Sequence, residues 1–498
     1  VTDDLARLDA TAQAALVRDG EVSPLELVDA AIDRIEALDP GLNAVIHQRF
    51  DQARAEASGP LPDGPFRGVP MVLKDLDGFA AGQPYHAGTR HLRDVGFRAP
   101  HDSWLTARFA AMGAVVVGRT NTPELGLLPS TEPLSYGPTR NPWDPERSPA
   151  GSSGGSAAAV ASGMVPLGSA GDGGGSIRLP ASVCGLVGLK PTRGRSSLGP
   201  EAGEAWSGLV SRLVVTRSVR DTAGVLAAAA GTMPGDPYTA PPPSRPYPDE
   251  VGAEVGRLRI GWSVTCPDPA VAVDPEVAAA VEAAAALLAD LGHHVDAAHP
   301  QVWDDEEAMG ELTGHFINGM AVWTAAELDR LAGLAGAPFP EDGVEPHTAA
   351  LAEMGRAVTG LQLHATIAAV HGAGRALAEF WADPDDGIAV GLGVPGRGYD
   401  VLVTPVIPEL PWTLGQFGAT ADNPLHGLGR AAAVVPFTVP FNISGQPAVS
   451  LPLGWSGSGL PIGVQLVADH GREDLLLRLA AQVEAAAPWS DRRPPVHA

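Results

Sequence analysis

The residues able to do covalent chemistry in this chain cluster in one short, glycine-rich segment. Gly151-Ser152-Ser153-Gly154-Gly155 is followed by Gly173-Gly174-Gly175-Ser176-Ile177-Arg178. A serine hydroxyl is a weak nucleophile until a base takes its proton. No histidine occurs between His101 and His293, so a base close in sequence is missing. Lys74 and Lys190 are the only lysines among 33 basic residues. Arginine stays charged inside a protein, whereas a buried lysine can become a neutral amine and act as a base. Lys74 follows the apolar run Val69–Leu73 and is therefore the candidate base, acting directly or through a relaying hydroxyl. Lys190, in Gly188-Leu189-Lys190-Pro191, is expected to be structural.

Competing motifs are weaker. Gly151–Gly155 fits the G-x-S-x-G pattern with Ser153 as nucleophile, but that elbow needs a preceding strand and Asn141–Ala150 has no strand pattern. Three glycines before Ser176 let backbone N–H groups converge into an anion nest, suited to a phosphate or to the oxyanion of a tetrahedral intermediate. The G-K-[ST] ending of a P-loop is missing. His293, His294 and His299 follow Gly292 and read as a solvated turn rather than a metal site. Asp304–Glu307 reads as a helix N-terminus favoured by the dipole. Cys184 and Cys266 are too few for a disulfide framework or a Cys-rich metal site.

The elements that must position these groups alternate between strand and helix, the pattern of an α/β fold with a mostly parallel or mixed sheet. Ser23-Pro24-Leu25-Glu26 predicts a capping box opening a helix through about Ala37. Strands are expected at Asn43–Phe50, Val69–Leu73, Ala114–Val117, Arg257–Val264 and Val401–Pro405, with another starting at Val165–Leu167. Helices are expected at Gln52–Ala57, Trp104–Met112, Ser156–Ser162, Asp221–Ala230, Asp274–Leu291 and Asp474–Ala487. Ala240–Glu250 reads as a Pro-rich linker, and residues 300–400 as mainly helical with loops such as Gly391–Gly398.

Composition narrows the class. The 498 residues carry a formal net charge of −25, which repels phosphate backbones and argues against nucleic-acid partners. The apolar run Val277–Ala289 is interrupted by Glu282 and is short of the ~20 residues of a membrane span. The opening Val1-Thr2-Asp3-Asp4 is acidic, without a charged-then-apolar pattern, and with only two cysteines a cytoplasmic location is the default expectation.

Taken together, these stretches resemble the amidase signature family. The likeness runs through Gly151–Ser156, Gly174–Ala181 and Cys184–Thr192. It continues upstream at Gly68–Pro70, Lys74-Asp75 and Gly118–Glu124, and downstream at Pro440–Asn442, Ser444–Ala448 and Pro461–Leu466. Within the family the pattern is most similar to the branch with nylon-oligomer cyclic-dimer hydrolases, and similar also to aryl acylamidases and urethane-cleaving members. The resemblance implies a single α/β domain over 1–498, a mixed, mostly parallel twisted sheet surrounded by helices. It divides into an N-terminal helical part at 1–60, a signature core at 65–235, a variable substrate-side region at 240–430 and a C-terminal return at 431–498. It implies a Ser–cis-Ser–Lys triad of Ser176, Ser152 and Lys74, with oxyanion donors from the N–H groups of Gly173, Gly174, Gly175 and Ser176. Ser153, Asp172 and Arg178 are expected to support them.

No cofactor and no metal are implied. The expected partner is a small-molecule amide or carbamate, with no nucleic acid or membrane, and the protein a monomer or homodimer. Leu125, Gly126, Leu127 and Leu128 are the expected substrate pocket. Relatives often carry Thr where this chain has Gly171 and Gly173, which predicts a looser loop or a wider acyl pocket. Two other readings stay open: a glutamine amidotransferase subunit of a tRNA-dependent complex, and a non-catalytic anion-binding protein.

Overall fold

The computed structural model describes residues 2–340, 342–387 and 396–498. Among the described residues, eleven strands form one sheet. They are β1 (Val45–Gln48), β2 (Pro70–Lys74), β3 (Val115–Thr120), β4 (Leu167–Asp172), β5 (Val187–Lys190), β6 (Ser211–Thr216), β7 (Arg259–Trp262), β8 (His294–Ala297), β9 (Val401–Pro405), β10 (Ala448–Trp455) and β11 (Pro461–Ala468). Their spatial order is β1-β3-β2-β4-β6-β5-β10-β11-β9-β7-β8. The α/β class and the mixed sheet inside helices match the expectation. The parallel share does not: four neighbouring pairs are parallel and six antiparallel. The short connection between β10 and β11 makes a hairpin, which forces antiparallel pairing, whereas parallel neighbours need long crossovers.

The central strands are buried along their whole length, β2, β4, β5, β9 and β11 without an exposed position. The capping box forms as predicted: Glu26 N–H donates to Ser23 Oγ, and Ser23 N–H to Glu26 Oε2 at 2.7 Å. The Ala-rich helix Gly154–Ala161 is buried at every residue, which small side chains permit because they let its backbone approach β4 closely. Ala240–Glu250 is no loose linker. Tyr247 and Glu250 are buried, and Glu250 takes ion pairs from Arg245 and Arg478. The sheet runs on past it, through β9 to β7 and β8.

Residues 306–335 form one long helix capped by Asp305, as the acidic run predicted. It packs with helices Pro346–Ala357 and Gly360–Ala378 around a hydrophobic cluster of their own. Of the expected loop Gly391–Gly398, residues 391–395 lie outside the described residues. His293, expected in a solvated turn, is instead buried. Its Nδ1 accepts from Leu258 N–H at 3.2 Å and its Nε2 lies 2.9 Å from Gln482 Oε1.

Candidate active site

Three neighbouring stretches of the sheet end deliver the site: the end of β2, the loop before helix Gly154–Ala161, and the loop after β4. Parallel pairing of β2 with β4 sets Lys74 near the glycine loop. Ser169 Oγ, on β4, accepts the Lys74 backbone N–H at 2.8 Å and fixes where the lysine side chain starts. The Gly151–Ser152 peptide is cis, and Ser152 Oγ accepts from Lys74 Nζ at 2.8 Å. Both side chains are almost wholly buried. Burial pushes the Lys74 ammonium below the usual lysine range, partly offset by the charge of Asp77. That is the direction a lysine base requires. Gly126 lies against this pair: a Cβ there would stand 3.2 Å from Ser152 Oγ and 2.5 Å from Leu76 Cδ2.

Ser176 follows the glycine run and precedes the helix Arg178–Cys184. The loop is held tightly rather than loosely. Asp172 Oδ1 accepts the Gly175 N–H at 2.7 Å, and Thr438 Oγ1 donates to the Gly174 carbonyl at 2.6 Å. Gly175 sits at φ 132°, where a Cβ would meet Leu179 Cδ1 and Thr438 Oγ1 at 2.6 Å, so glycine is required. The Gly175 N–H, one of the expected oxyanion donors, is thus already bound by Asp172.

Asp172 and Arg178 pair through two parallel bonds, Nε to Oδ2 and Nη2 to Oδ1, both 2.9 Å. Arg178 also donates to Gln465 Oε1 at 2.7 Å and Asn442 Oδ1 at 2.6 Å, and Asn442 Nδ2 donates back to Asp172 Oδ1 at 2.9 Å. Burial alone would raise the Asp172 pKa, but the Arg178 guanidinium and Asn442 outweigh it and hold the carboxyl down at about 2. Asn442 and Gln465 lie in stretches that carried the family resemblance, yet nothing in their spacing predicted this role. Ser153 faces β4: its Oγ is 3.4 Å from both the Gly171 carbonyl and the Gly171 N–H.

A cavity open at its mouth contains Lys74, Ser152 and Ser176 in its lining. Of the four residues expected in the substrate pocket, Leu125 and Gly126 line this cavity. Leu127 and Leu128 do not; both are buried in hydrophobic clusters, because the turn at Leu125 (φ 49°) and Gly126 (φ 69°) sends the following residues inward. The apolar walls come instead from Phe79, Tyr85, Trp206 and Trp323, with the Glu327–Arg330 ion pair on the same long helix as Trp323. The wider pocket expected at Gly171 and Gly173 is also absent. A Cβ at 173 would meet the Trp206 ring at 3.1 Å, and one at 171 would meet Asp77 Oδ1 at 2.3 Å, so both spaces are filled. Elsewhere, His47, Asp75 and His86 bring ligand-type atoms within 4.8 Å of one another. There Asp75 is already bound by Arg119 at 3.2 Å and by the His86 N–H at 3.1 Å, and the Tyr136 hydroxyl bridges the two imidazoles.

The amidase family model matches residues 26–477, which places the chain among hydrolases of C–N bonds. The chain belongs to the amidase signature family, whose members act on amides. It is 42% identical to the 6-aminohexanoate-cyclic-dimer hydrolase of Paenarthrobacter ureafaciens, over 98% of this chain and 96% of that one. A solved structure of a 6-aminohexanoate cyclic dimer hydrolase superposes with a TM-score of 0.91 at 41% identity, covering 99% of each chain. A bacterial aryl acylamidase of the family superposes at TM-score 0.83 with 26% identity, covering 97% of each chain. No described helix is long and apolar enough to cross a membrane.

Proposed function

We propose that this amidase cleaves its substrate through an acyl ester on Ser176. The observation that carries the reading is the 2.8 Å contact between Lys74 Nζ and Ser152 Oγ in the cavity that Ser176 also lines. Ser176 Oγ attacks the carbonyl carbon, its proton passes to Ser152, and Ser152 passes its own to neutral Lys74. N–H groups of Gly173, Gly174 and Ser176 receive the oxyanion. As the C–N bond breaks, the proton returns through Ser152 to the departing nitrogen. Water then hydrolyses the ester by the same relay in reverse.

The aromatic walls favour a substrate with an aryl or other apolar arm, in keeping with the substrate classes named for the aryl acylamidase and the cyclic-dimer hydrolase. The same chemistry extends to small aryl carbamates, whose carbonyl gives the same tetrahedral geometry, and so to urethanase activity. With Gly171 and Gly173 already covered by Asp77 and Trp206, room for the extra alkoxy oxygen has to come from the open side of the cavity.

Labelling by a fluorophosphonate, lost in Ser176→Ala, tests the nucleophile. A panel of anilides, aliphatic amides, esters and aryl carbamates tests the bond. If anilides turn over while carbamates give neither product nor an adduct by intact mass, the urethane extension fails and amide hydrolysis stands. An unlabelled, inactive protein that binds anions would return the glycine loop to a binding role.

A further inference from the structure

Directly after Lys74 the chain turns tightly, Asp77 N–H donating to the Lys74 carbonyl at 3.3 Å, and the Asp77 side chain folds back over the lysine. Asp77 Oδ2 stands 3.2 Å from Lys74 Nζ, with both side chains almost fully buried. On its other side, Asp77 Oδ1 is 3.4 Å from Arg212 Nε. The sheet register explains why there is room. Gly171 on β4 pairs directly with Arg212 on β6, so the position beside Arg212 carries no side chain. The Asp77 carboxylate occupies that gap, 2.3 Å from where a Cβ of residue 171 would stand.

We infer that Asp77 is a positioning residue of the catalytic machinery: it stabilises Lys74 in the protonated state that the lysine reaches when it takes the serine proton, with Arg212 limiting the effect and Gly171 providing the space. The inference builds on the Ser176 reading above. During attack the oxyanion gains one negative charge and Lys74 one positive charge. A buried ammonium needs a partner, and Asp77 is placed to be one without moving. The charged groups around Lys74 are Asp77 from the turn, Arg212 from β6, Asp172 from β4, and Arg119 from β3, which donates to the Lys74 carbonyl at 3.1 Å and pairs with Asp75; Glu201, Glu327 and Arg330 also line the cavity. Asp77 and Asp172 favour the ammonium, whereas Arg212 opposes it.

The test is the rising limb of kcat/KM against pH, which reports the free enzyme's base. An opposite charge within about 4–6 Å moves a pKa by ~1–3 units. Asp77→Asn should therefore shift the limb to lower pH by about that much and lower the plateau rate. Gly171→Ala, whose Cβ displaces the carboxylate, should shift it the same way. Arg212→Gln removes a cation and should shift it to higher pH. A residue that merely props the fold would change rate or stability without moving the limb in opposite directions. If Asp77→Asn fails to fold, Gly171→Ala and Arg212→Gln decide. An unmoved limb in these variants, while Ser176→Ala is inactive and unlabelled, overturns the role of Asp77 alone. An active Ser176→Ala overturns the nucleophile and this inference with it.

Discussion

Replacing Arg178 by Gln should separate the scaffold of the glycine loop from its chemistry. Arg178 and Asp172 are both wholly buried, and the guanidinium makes four side-chain bonds of 2.6–2.9 Å. Two estimates bracket the loss. The Asp172 carboxyl, held at about 2 against an ordinary 3.8, corresponds to about 2–3 kcal/mol of stability at neutral pH. The sign follows from the depressed folded value: the contribution is complete above the unfolded pKa near 3.9 and is lost as pH falls through about 2. Truncation also strands Gln465 and Asn442, and breaking a buried pair typically costs about 3–5 kcal/mol. The larger figure is expected here, because Gln cannot refill the fork.

Asp172 in turn holds the Gly175 N–H, so the loop should shift along with the pair. A displacement on the order of 1 Å can cost ~10²-fold in rate. Urea unfolding followed by tryptophan fluorescence measures the first effect and kcat on an anilide the second. Arg178→Lys, which keeps the charge but not the fork, should fall between wild type and Arg178→Gln. If Arg178→Gln loses less than about 1 kcal/mol, or keeps kcat within about twofold, the network does not hold the loop in the way argued.

Lys74→Arg should abolish turnover, since guanidinium does not release its proton at working pH, with circular dichroism confirming a folded protein. Gly126→Ala should lower kcat by about tenfold or more, because its Cβ presses on Ser152 Oγ and Leu76 and the residue sits at φ 69°; a paired measurement of kcat and melting temperature distinguishes this from instability. Lys190 is fully buried and its ammonium is pushed down to about 7 by burial and by Arg178. The unfolded chain therefore binds more protons between about pH 7 and 10, and stability should rise across that window. Lys190→Met should flatten that rise in unfolding free energy against pH.

How much of this was legible in the sequence depends on the range of the interactions. The Ser23 cap, the helix Pro275–Asp290 and strand β9 are local patterns, and they fall where the residues placed them. The glycine loop and Lys74 were legible because their residue types are chemically odd for this chain: two lysines among 33 basic residues, and three glycines before a serine. Strands β5, β6, β8, β10 and β11 went unpredicted. Most are buried on both faces, which erases the alternation that marks a strand.

The far wall of the cavity was illegible for a different reason. Trp323, Glu327 and Arg330 sit on a long helix whose own pattern says only that it is a helix. Nothing local says that it lines the same cavity as Ser176. Asp77 is the sharpest case. In sequence it is one acid in the turn Asp75-Leu76-Asp77-Gly78. Its contact with Lys74 exists because β4 and β6 align a glycine with an arginine and leave a carboxylate-sized gap between them. Residue type thus pointed to the atoms proposed to react. The residues that surround and hold those atoms emerge only from strand register and loop closure.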